Sequence, residues 1–162
     1  MDLKLGKQLQ LLKGHHTKVN DTILELSSEN CALVSNDRSI LIWDVLSGEQ
    51  LSKKNSNCVH SAQFTSNGSK IVSHSEYGIA IWDILSDQQI EISQYKDRIK
   101  GVQVSPDDSK ILSYSSDYIQ LWDMSGKKIQ VFEGHSNRVN GAFFSPDGSK
   151  IVSYSKDCTV RM

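Results

Sequence analysis

The residues of this sequence that could do chemistry include histidines, cysteines and acidic side chains, and their spacing decides which reactions are open to them. Transition metals are held by histidines and cysteines that recur at short, paired spacings. The candidates here lie in separate stretches without such spacing, so we expect structural or exposed roles and no metal. They are His15, His16, His60, His74, Cys31, Cys58 and Cys158.

A catalytic pair of carboxylates is not indicated either. General acid–base chemistry needs titratable groups brought together in a cleft. Asp44, Asp83 and Asp123 stand out only because each ends a segment that itself recurs. No Gly-x-Gly-x-x-Gly or P-loop pattern occurs, so a nucleotide site is also disfavoured. We therefore predict that the chain is not an enzyme and has no cofactor.

Those aspartates lead back to the element that positions them, a five-residue apolar segment that ends in Trp-Asp. Its copies cover residues 40–44, 79–83 and 119–123, and their tryptophans are 39 and 40 residues apart. The alternation of large apolar with variable residues is typical of a β-strand. A fixed period near 40 residues predicts a repeat architecture.

A second position recurs every 40 residues and predicts the first strand of each repeat. Val19, Val59, Ile99 and Val139 occupy it, and apolar or small residues usually follow three and five positions later. These offsets fall on one face of a strand only if an extra residue is accommodated, so we expect a β-bulge in every copy. The predicted bulges lie at residues 20–21, 60–61, 100–101 and 140–141.

The remainder of each repeat indicates turns and short strands. Ser-Pro-Asp sequences at 105–107 and 145–147 place proline where its fixed φ suits a tight turn. Helical apolar spacing is sustained nowhere, so we expect an all-β chain with four strands per repeat. The repeats are predicted to cover residues 14–53, 54–93, 94–133 and 134–162, with residues 6–13 as the outer strand of a preceding or closing unit.

These motifs together resemble the WD40-repeat β-propellers, and the resemblance covers essentially the whole chain. It implies about four blades, each a four-stranded antiparallel sheet, in a partial propeller. The motifs are Gly14-His15, Val19, Asp37 and Trp43-Asp44 in the first repeat, and Gly134-His135, Val139, Ser145-Pro146-Asp147-Gly148 and Asp157 in the fourth.

The resemblance also implies a buried hydrogen-bonded set in a blade, made by a histidine, an aspartate, a serine and the tryptophan. Such a set satisfies buried polar groups and is structural, not catalytic. Lys54-Asn55 and Gln94-Tyr95 replace Gly-His in the middle repeats, so those blades are expected to depend more on packing. The implied residues are His15, Ser35, Asp37, Trp43, Trp82, Asp117, Trp122, His135 and Asp157, with Ser153 or Ser155 as the serine of the fourth repeat.

The balance of charged residues disfavours partners that are attracted by a strong electrostatic field, such as nucleic acids and anionic membranes. The sequence has 18 basic and 19 acidic residues and a formal net charge of −1, so we expect neither nucleic acid nor a membrane as a partner. No apolar run approaches the roughly 18 residues of a membrane span, and there is no signal peptide. We expect a cytoplasmic protein, with the nucleus also open.

One cationic cluster deserves a hypothesis of its own. Lys18, Arg98 and Arg138 each precede the first strand of a repeat. Equivalent positions of a propeller share one face, so these cations are predicted to form a patch for acidic side chains or phosphate. The alternative is that they are ordinary solvated charges of surface loops.

The function implied by the resemblance is that of a protein–protein interaction scaffold. Two alternatives remain, a sensor or autoinhibitory segment of a larger signalling ATPase and a propeller enzyme. The enzyme is disfavoured because the Ser-x-Asp-x-Gly-x-Thr-Trp boxes of sialidase-like propellers are absent.

The two ends of the sequence raise the question of ring closure. Residues 6–15 match residues 126–135 at an offset of 120, which predicts an outer strand at the start and a fourth blade without its outer strand at the end. Three arrangements are compatible with this pattern. We favour a piece of a longer propeller over self-association of two chains into one ring, and both over a ring of four blades.

Overall fold

The computed structural model describes residues 11–24, 30–35, 37–55, 59–76, 78–86, 88–92 and 97–162, and all regular structure in them is β-strand. The first sheet contains β1 (Val19–Leu24), β2 (Asn30–Ser35), β3 (Ser39–Asp44) and β4 (Gln50–Asn55). The second contains β5 (Ser61–Phe64), β6 (Lys70–His74), β7 (Ile79–Asp83) and β8 (Gln89–Ile92). The third contains β9 (Gly101–Val104), β10 (Lys110–Tyr114), β11 (Ile119–Asp123) and β12 (Lys128–Phe132). The fourth contains β13 (Val139–Phe144), β14 (Ile151–Ser155) and β15 (Val160–Arg161).

Each sheet is an antiparallel meander in which the strands pair in chain order. The tryptophans occupy equivalent places, since Trp43 pairs with Cys31, Trp82 with Ile71 and Trp122 with Ile111, always from the third strand to the second. The predicted all-β fold with four-stranded repeats is thus confirmed for the first three sheets. Among the described residues no helix is long and apolar enough to cross a membrane.

The predicted bulges at the start of the first strands are present. In the first and fourth sheets the register shifts between Val19 and Asp21 and between Val139 and Gly141, which makes Asn20 and Asn140 the extra residues of the bulges. In the second sheet the N–H of His60 donates to the carbonyl of His74 at 2.9 Å, although His74 already pairs with Ser61. Two residues therefore face one, as in a bulge. The third sheet repeats this arrangement at Lys100, Gly101 and Tyr114.

Neighbouring sheets pack face to face, with their first strands adjacent in the order β1, β5, β9, β13. Between the first two sheets lie Ile40, Ile42, Phe64, Ile71 and Trp82, all buried. The next interface has the same composition, with Trp122 against Ile79 and Ile81 of the second sheet. The side chain of each of these two tryptophans therefore projects from its own sheet and packs against the preceding sheet.

Polar side chains also join neighbouring sheets at fixed places. The Oε1 atoms of Gln63 and Gln103, 40 residues apart, accept hydrogen bonds from the backbone N–H groups of Val104 at 3.0 Å and Phe144 at 2.7 Å. At the bulge, Asn20 Nδ2 donates to the carbonyl of Val59 at 2.7 Å. A buried backbone group without a partner is costly, so these side chains fix how one sheet lies on the next.

The up-and-down strand order gives the array two loop-bearing faces. The link face carries the connections that enter each first strand and the loops between second and third strands. The turn face carries the tight turns between first and second strands and between third and fourth strands. Loops of neighbouring sheets bond on the link face, where Ile99 N–H donates to the Glu76 carbonyl and Val139 N–H to the Ser116 carbonyl, both at 2.8 Å.

The described sheets form an open arc. Successive sheets are joined by contacts between their first strands. Within the described residues, no comparable set of contacts joins the first sheet to the fourth. Consistent with this, Val19 is 41% exposed, whereas Val59, Ile99 and Val139 at the same place in the other sheets are buried. Residues 6–10 of the predicted outer strand lie outside the described residues, and residues 11–13 are not in a strand.

Candidate functional site

The histidine and aspartate predicted for the first repeat form a hydrogen-bonded pair. Nδ1 of His15 lies 2.9 Å from Oδ2 of Asp37, which also accepts the backbone N–H of His16 at 3.1 Å. The other carboxylate oxygen accepts from the Ser39 hydroxyl at 2.6 Å. Partial burial works to raise the pKa of Asp37, but the hydrogen bonds from Ser39 and His15 outweigh it and hold the pKa well below its usual range.

The fourth sheet contains the same pair with a serine added. Nδ1 of His135 lies 2.8 Å from Oδ2 of Asp157, and Nε2 lies 2.9 Å from the hydroxyl of Ser153. The hydroxyl of Thr159, at the place of Ser39, donates to Asp157 Oδ1 at 2.6 Å. That bond is the main reason why the pKa of Asp157 is low, with a further contribution from His135. The pair ties the link loop to the second and third strands, and His135 lines part of the cleft between the third and fourth sheets.

In the second and third sheets the serine at the place of Ser153 is hydrogen-bonded to the tryptophan instead of a histidine. The indole N–H of Trp82 donates to Ser73 Oγ and that of Trp122 to Ser113 Oγ, each at 2.9 Å. Position 33 is the equivalent in the first sheet, and it is a leucine, which offers no acceptor. Among the described residues the buried Trp43 Nε1 accordingly has no hydrogen-bond partner.

Two predicted members of the buried set lie elsewhere. The hydroxyl of Ser35 donates to the carbonyl of Lys18 at 2.8 Å, and Ser155 does the same to the carbonyl of Asn137 at 2.9 Å. Both serines anchor a link loop. In the second, third and fourth sheets the serine that meets the indole or the histidine is two residues before the position of Ser35 and Ser155, on the same strand face. Asp117 has an exposed side chain on the link face.

The recurrent aspartates that follow the tryptophans are structural groups of the turn face. Oδ1 of Asp44 accepts the N–H and hydroxyl of Ser47 at 2.7 and 2.9 Å, and Oδ1 of Asp123 accepts those of Ser125 at 2.9 and 2.6 Å. These bonds hold the pKa of both carboxyls below the ordinary value. Asp83 makes a similar turn and adds an ion pair with Lys70 at 3.1 Å. Carboxylates held in this way are poor proton donors at neutral pH.

Two histidines meet near the bulge of the second sheet. The rings of His60 and His74 lie edge to face with their centroids 6.2 Å apart, and Nε2 of His60 is buried without a partner among the described residues. The pKa of His74 is lowered to about 4, mainly by burial and also by the neighbouring His60, while a bond to the Ser61 carbonyl and the charge of Asp21 act in the opposite direction. The described residues contain no group of three or more metal-binding side chains.

The cations predicted to form a patch all lie in loops of the link face but have different surroundings. Arg98 Nε is 3.4 Å from Glu76 Oε1 and is therefore already in an ion pair. Lys18 belongs to the first sheet, and the whole second sheet lies between it and Arg98. Arg138 instead lies beside two cations that were not predicted, Lys100 and Lys156.

A cleft of about 670 Å³ separates the third and fourth sheets. Ile119, Leu121 and Phe132 line one wall, and Phe144 and Ile151 line the other. The residues at the same places one repeat earlier surround Trp122. The apolar part of the cleft therefore has the lining of a tryptophan pocket, and polar residues such as Lys110, His135 and Arg161 line the remainder.

Successive four-stranded meanders that pack through their first strands define the fold as blades of a β-propeller. A family model for the WD domain, G-beta repeat, matches residues 6–44 and 126–162, which include both Gly-His motifs. The two matched stretches are WD40 repeats, and such repeats indicate a protein-interaction scaffold kind of domain. A comparison with curated proteins found no match.

The Trp82–Ser73 bond leads to a first prediction. We expect Ser73→Ala to lower the free energy of unfolding by about 1–3 kcal/mol, because it leaves a buried indole N–H without an acceptor. In a Trp82→Phe background the same substitution should cost much less, since no N–H remains to be satisfied. Urea titrations of the four proteins give the coupling free energy, and a coupling near zero would contradict the role assigned to this bond.

The buried histidine pair leads to a second prediction, on pH. His74 has a lowered pKa in the folded state, so protonation favours unfolding, and stability is lost as the pH falls from about 6.5 towards 4, by at most about 1.4 kcal/mol per pH unit. The variant Ser61→Gly with His74→Tyr copies the Gly–Tyr pairing of the third and fourth sheets and should be less sensitive to acid in that window. Urea midpoints between pH 4 and 8 measure this, with the exposed His16→Gln as the matched control. Equal acid sensitivity in the wild type and the Gly–Tyr variant would count against it.

Proposed function

We propose that this chain is a non-catalytic scaffold that binds other proteins through its link face. The observation that carries the proposal is that the motif residues capable of chemistry are engaged in holding the blades together. His15, Asp37, His135 and Asp157 pair with each other, and the recurrent aspartates cap turns. Because these side chains are used in structural bonds, we infer that function depends on the exposed surface that the blades present.

The link face is better suited to a partner than the turn face. Its loops bond from one sheet to the next through backbone groups, so that their backbone is held in place before any partner arrives. Preorganisation of this kind lowers the entropy cost of binding. On the turn face, neighbouring turns meet instead through a side chain, that of Asp108, which accepts from the backbone N–H groups of Ser66 and Asn67. The link face also carries exposed side chains of the kinds that contribute most to interfaces, such as Tyr118 and Arg138.

Capture of partners from an extract of the native source by two matched variants tests this proposal. The link-face variant carries Lys18→Glu and Tyr118→Glu, and the turn-face variant carries Lys127→Glu and Leu85→Glu. Each replaces one exposed cation and one exposed apolar side chain. We expect the link-face variant to lose most of the partner retained by the wild type and the turn-face variant to keep it. Loss with the turn-face variant alone would place the partner on the other face.

A specific observation favours self-association as a second activity. Ala142, Phe144 and Ile151 point from the fourth sheet into its contact with the third. The opposite face of the same sheet presents Phe143, which is 48% exposed and stacked on Tyr154. Blade faces of this kind pack against another blade elsewhere in the chain. A second copy of this chain has blade faces that can pack against the exposed face of the fourth sheet.

Light scattering over a range of concentrations tests the association of the 162-residue chain. We expect mass to increase with concentration for the wild type and for Leu46→Glu, whose exposed leucine lies in a turn. Phe143→Glu should stay monomeric, because a carboxylate cannot be buried in an apolar contact without a partner. A wild-type chain that is monomeric throughout would refute self-association.

A further inference from the structure

Three cationic side chains converge where the third sheet meets the fourth on the link face. Lys100 directly precedes the first strand of the third sheet, and its Nζ donates to the carbonyl of Val139 at 2.6 Å. Arg138 is the residue before Val139, and its own carbonyl accepts the backbone N–H of Lys156 at 2.9 Å. The backbone thus holds three cations around one short segment of the fourth sheet. We call Lys100, Arg138 and Lys156 the junction cluster.

No member of the junction cluster has an ion pair with a carboxylate among the described residues, in contrast to two other cations of the chain. Arg98 has Glu76 and Lys70 has Asp83, at 3.4 and 3.1 Å. Arg138 and Lys156 are exposed, so their charges face solvent.

The members of the cluster repel one another. Burial is the main cause of the lowered pKa of Lys100, and the positive charges of Arg138 and Lys156 follow it. Asp117 and Asp97 oppose the shift without cancelling it. Like charges that the fold keeps together gain more than an isolated surface charge when an anion binds between them.

We propose that the junction cluster binds an acidic segment, rich in aspartate or glutamate, of a protein partner. This proposal rests on the proposed scaffold function and names the chemistry of its partner. The guanidinium of Arg138 offers a planar pair of donors that matches a carboxylate, and Lys156 offers a point charge beside it. Lys100 contributes its charge from a fixed position, because its ammonium is tied to the Val139 carbonyl.

The surroundings favour a short acidic peptide over a nucleic acid. The chain has a net charge of −1, so no extended field supports binding along a phosphate backbone. Asp97 and Asp117 act on Lys100 from the same neighbourhood, and they would repel a continuous polyanion that extends beyond the cluster. A segment with a few carboxylates can place them between the cations and leave its neutral residues near the aspartates.

Fluorescence anisotropy with a labelled peptide of eight glutamates tests the proposal on the 162-residue chain at low salt. A peptide of eight glutamines is the uncharged control. We expect Arg138→Glu with Lys156→Glu to weaken binding of the acidic peptide at least tenfold. Lys127→Glu with Lys150→Glu makes the same charge change at two exposed lysines outside the link face, and it should change the affinity less than twofold. Binding should weaken as salt is raised.

Three outcomes would overturn the proposal. The first is that the wild type does not bind the acidic peptide more tightly than the glutamine peptide, and the second is that both charge-reversal pairs weaken binding equally. The third is tighter binding of inorganic phosphate or of a single-stranded oligonucleotide, which would assign the cluster to phosphate. Failure here leaves the scaffold function intact if the variant with Lys18→Glu and Tyr118→Glu still loses its partner, because that variant does not alter the junction cluster.

Discussion

The burial of one tryptophan between the first and second sheets, and of another between the second and third, is the interaction on which the rest of the structure depends. Trp82 and Trp122 are 4% and 1% exposed and pack against the strands of the preceding sheet. A buried aromatic side chain removes roughly 150–250 Å² from water, which is worth roughly 4–6 kcal/mol at about 25 cal/mol per Å². The indole carries a polar N–H into this apolar contact, so the second strand must provide an acceptor. Ser73 and Ser113 meet that requirement.

The blades share this constraint but satisfy it differently. In the first and fourth sheets a histidine and an aspartate join the link loop to the strands, whereas the second and third sheets join their tryptophan to a serine. The sequence predicts that the middle blades depend more on packing, yet their indoles are the ones with acceptors. The first sheet has Leu33 in place of the serine, and there the polar group left without a partner is Trp43 Nε1. The repeats that lack the Gly-His motif therefore keep the hydrogen bond of the indole, and the first repeat, which has the motif, lacks that bond among the described residues.

The period of the sequence predicts the all-β fold, the strand order and the bulges, because these depend on contacts within one repeat. The prediction of Ser35 for the buried set did not distinguish two positions on one strand face, because a shift of two residues keeps the side chain on that face. The equivalents of Ser73, Ser113 and Ser153 in the first sheet fall at position 33, which is a leucine. Contacts between repeats were also missed. Gln63 and Gln103 recur at the period of 40 and could have been noticed. Lys100 gives no such signal, because its equivalents are Asn20, His60 and Asn140.

The differences between repeats indicate where specificity can reside. Positions that hold the blades together repeat the same residue types, as in the tryptophans and the residues opposite them. In contrast, the residue that precedes the recurrent Val19, Val59, Ile99 and Val139 varies. It is Lys18, Cys58, Arg98 or Arg138. Packing does not constrain that place, since the described members have exposed side chains while the next residue is buried in the second to fourth blades. A scaffold needs this division, because a partner can be recognised only by side chains that change from blade to blade. The junction cluster combines one such position, Arg138, with Lys100 of the neighbouring blade and with Lys156 of its own blade.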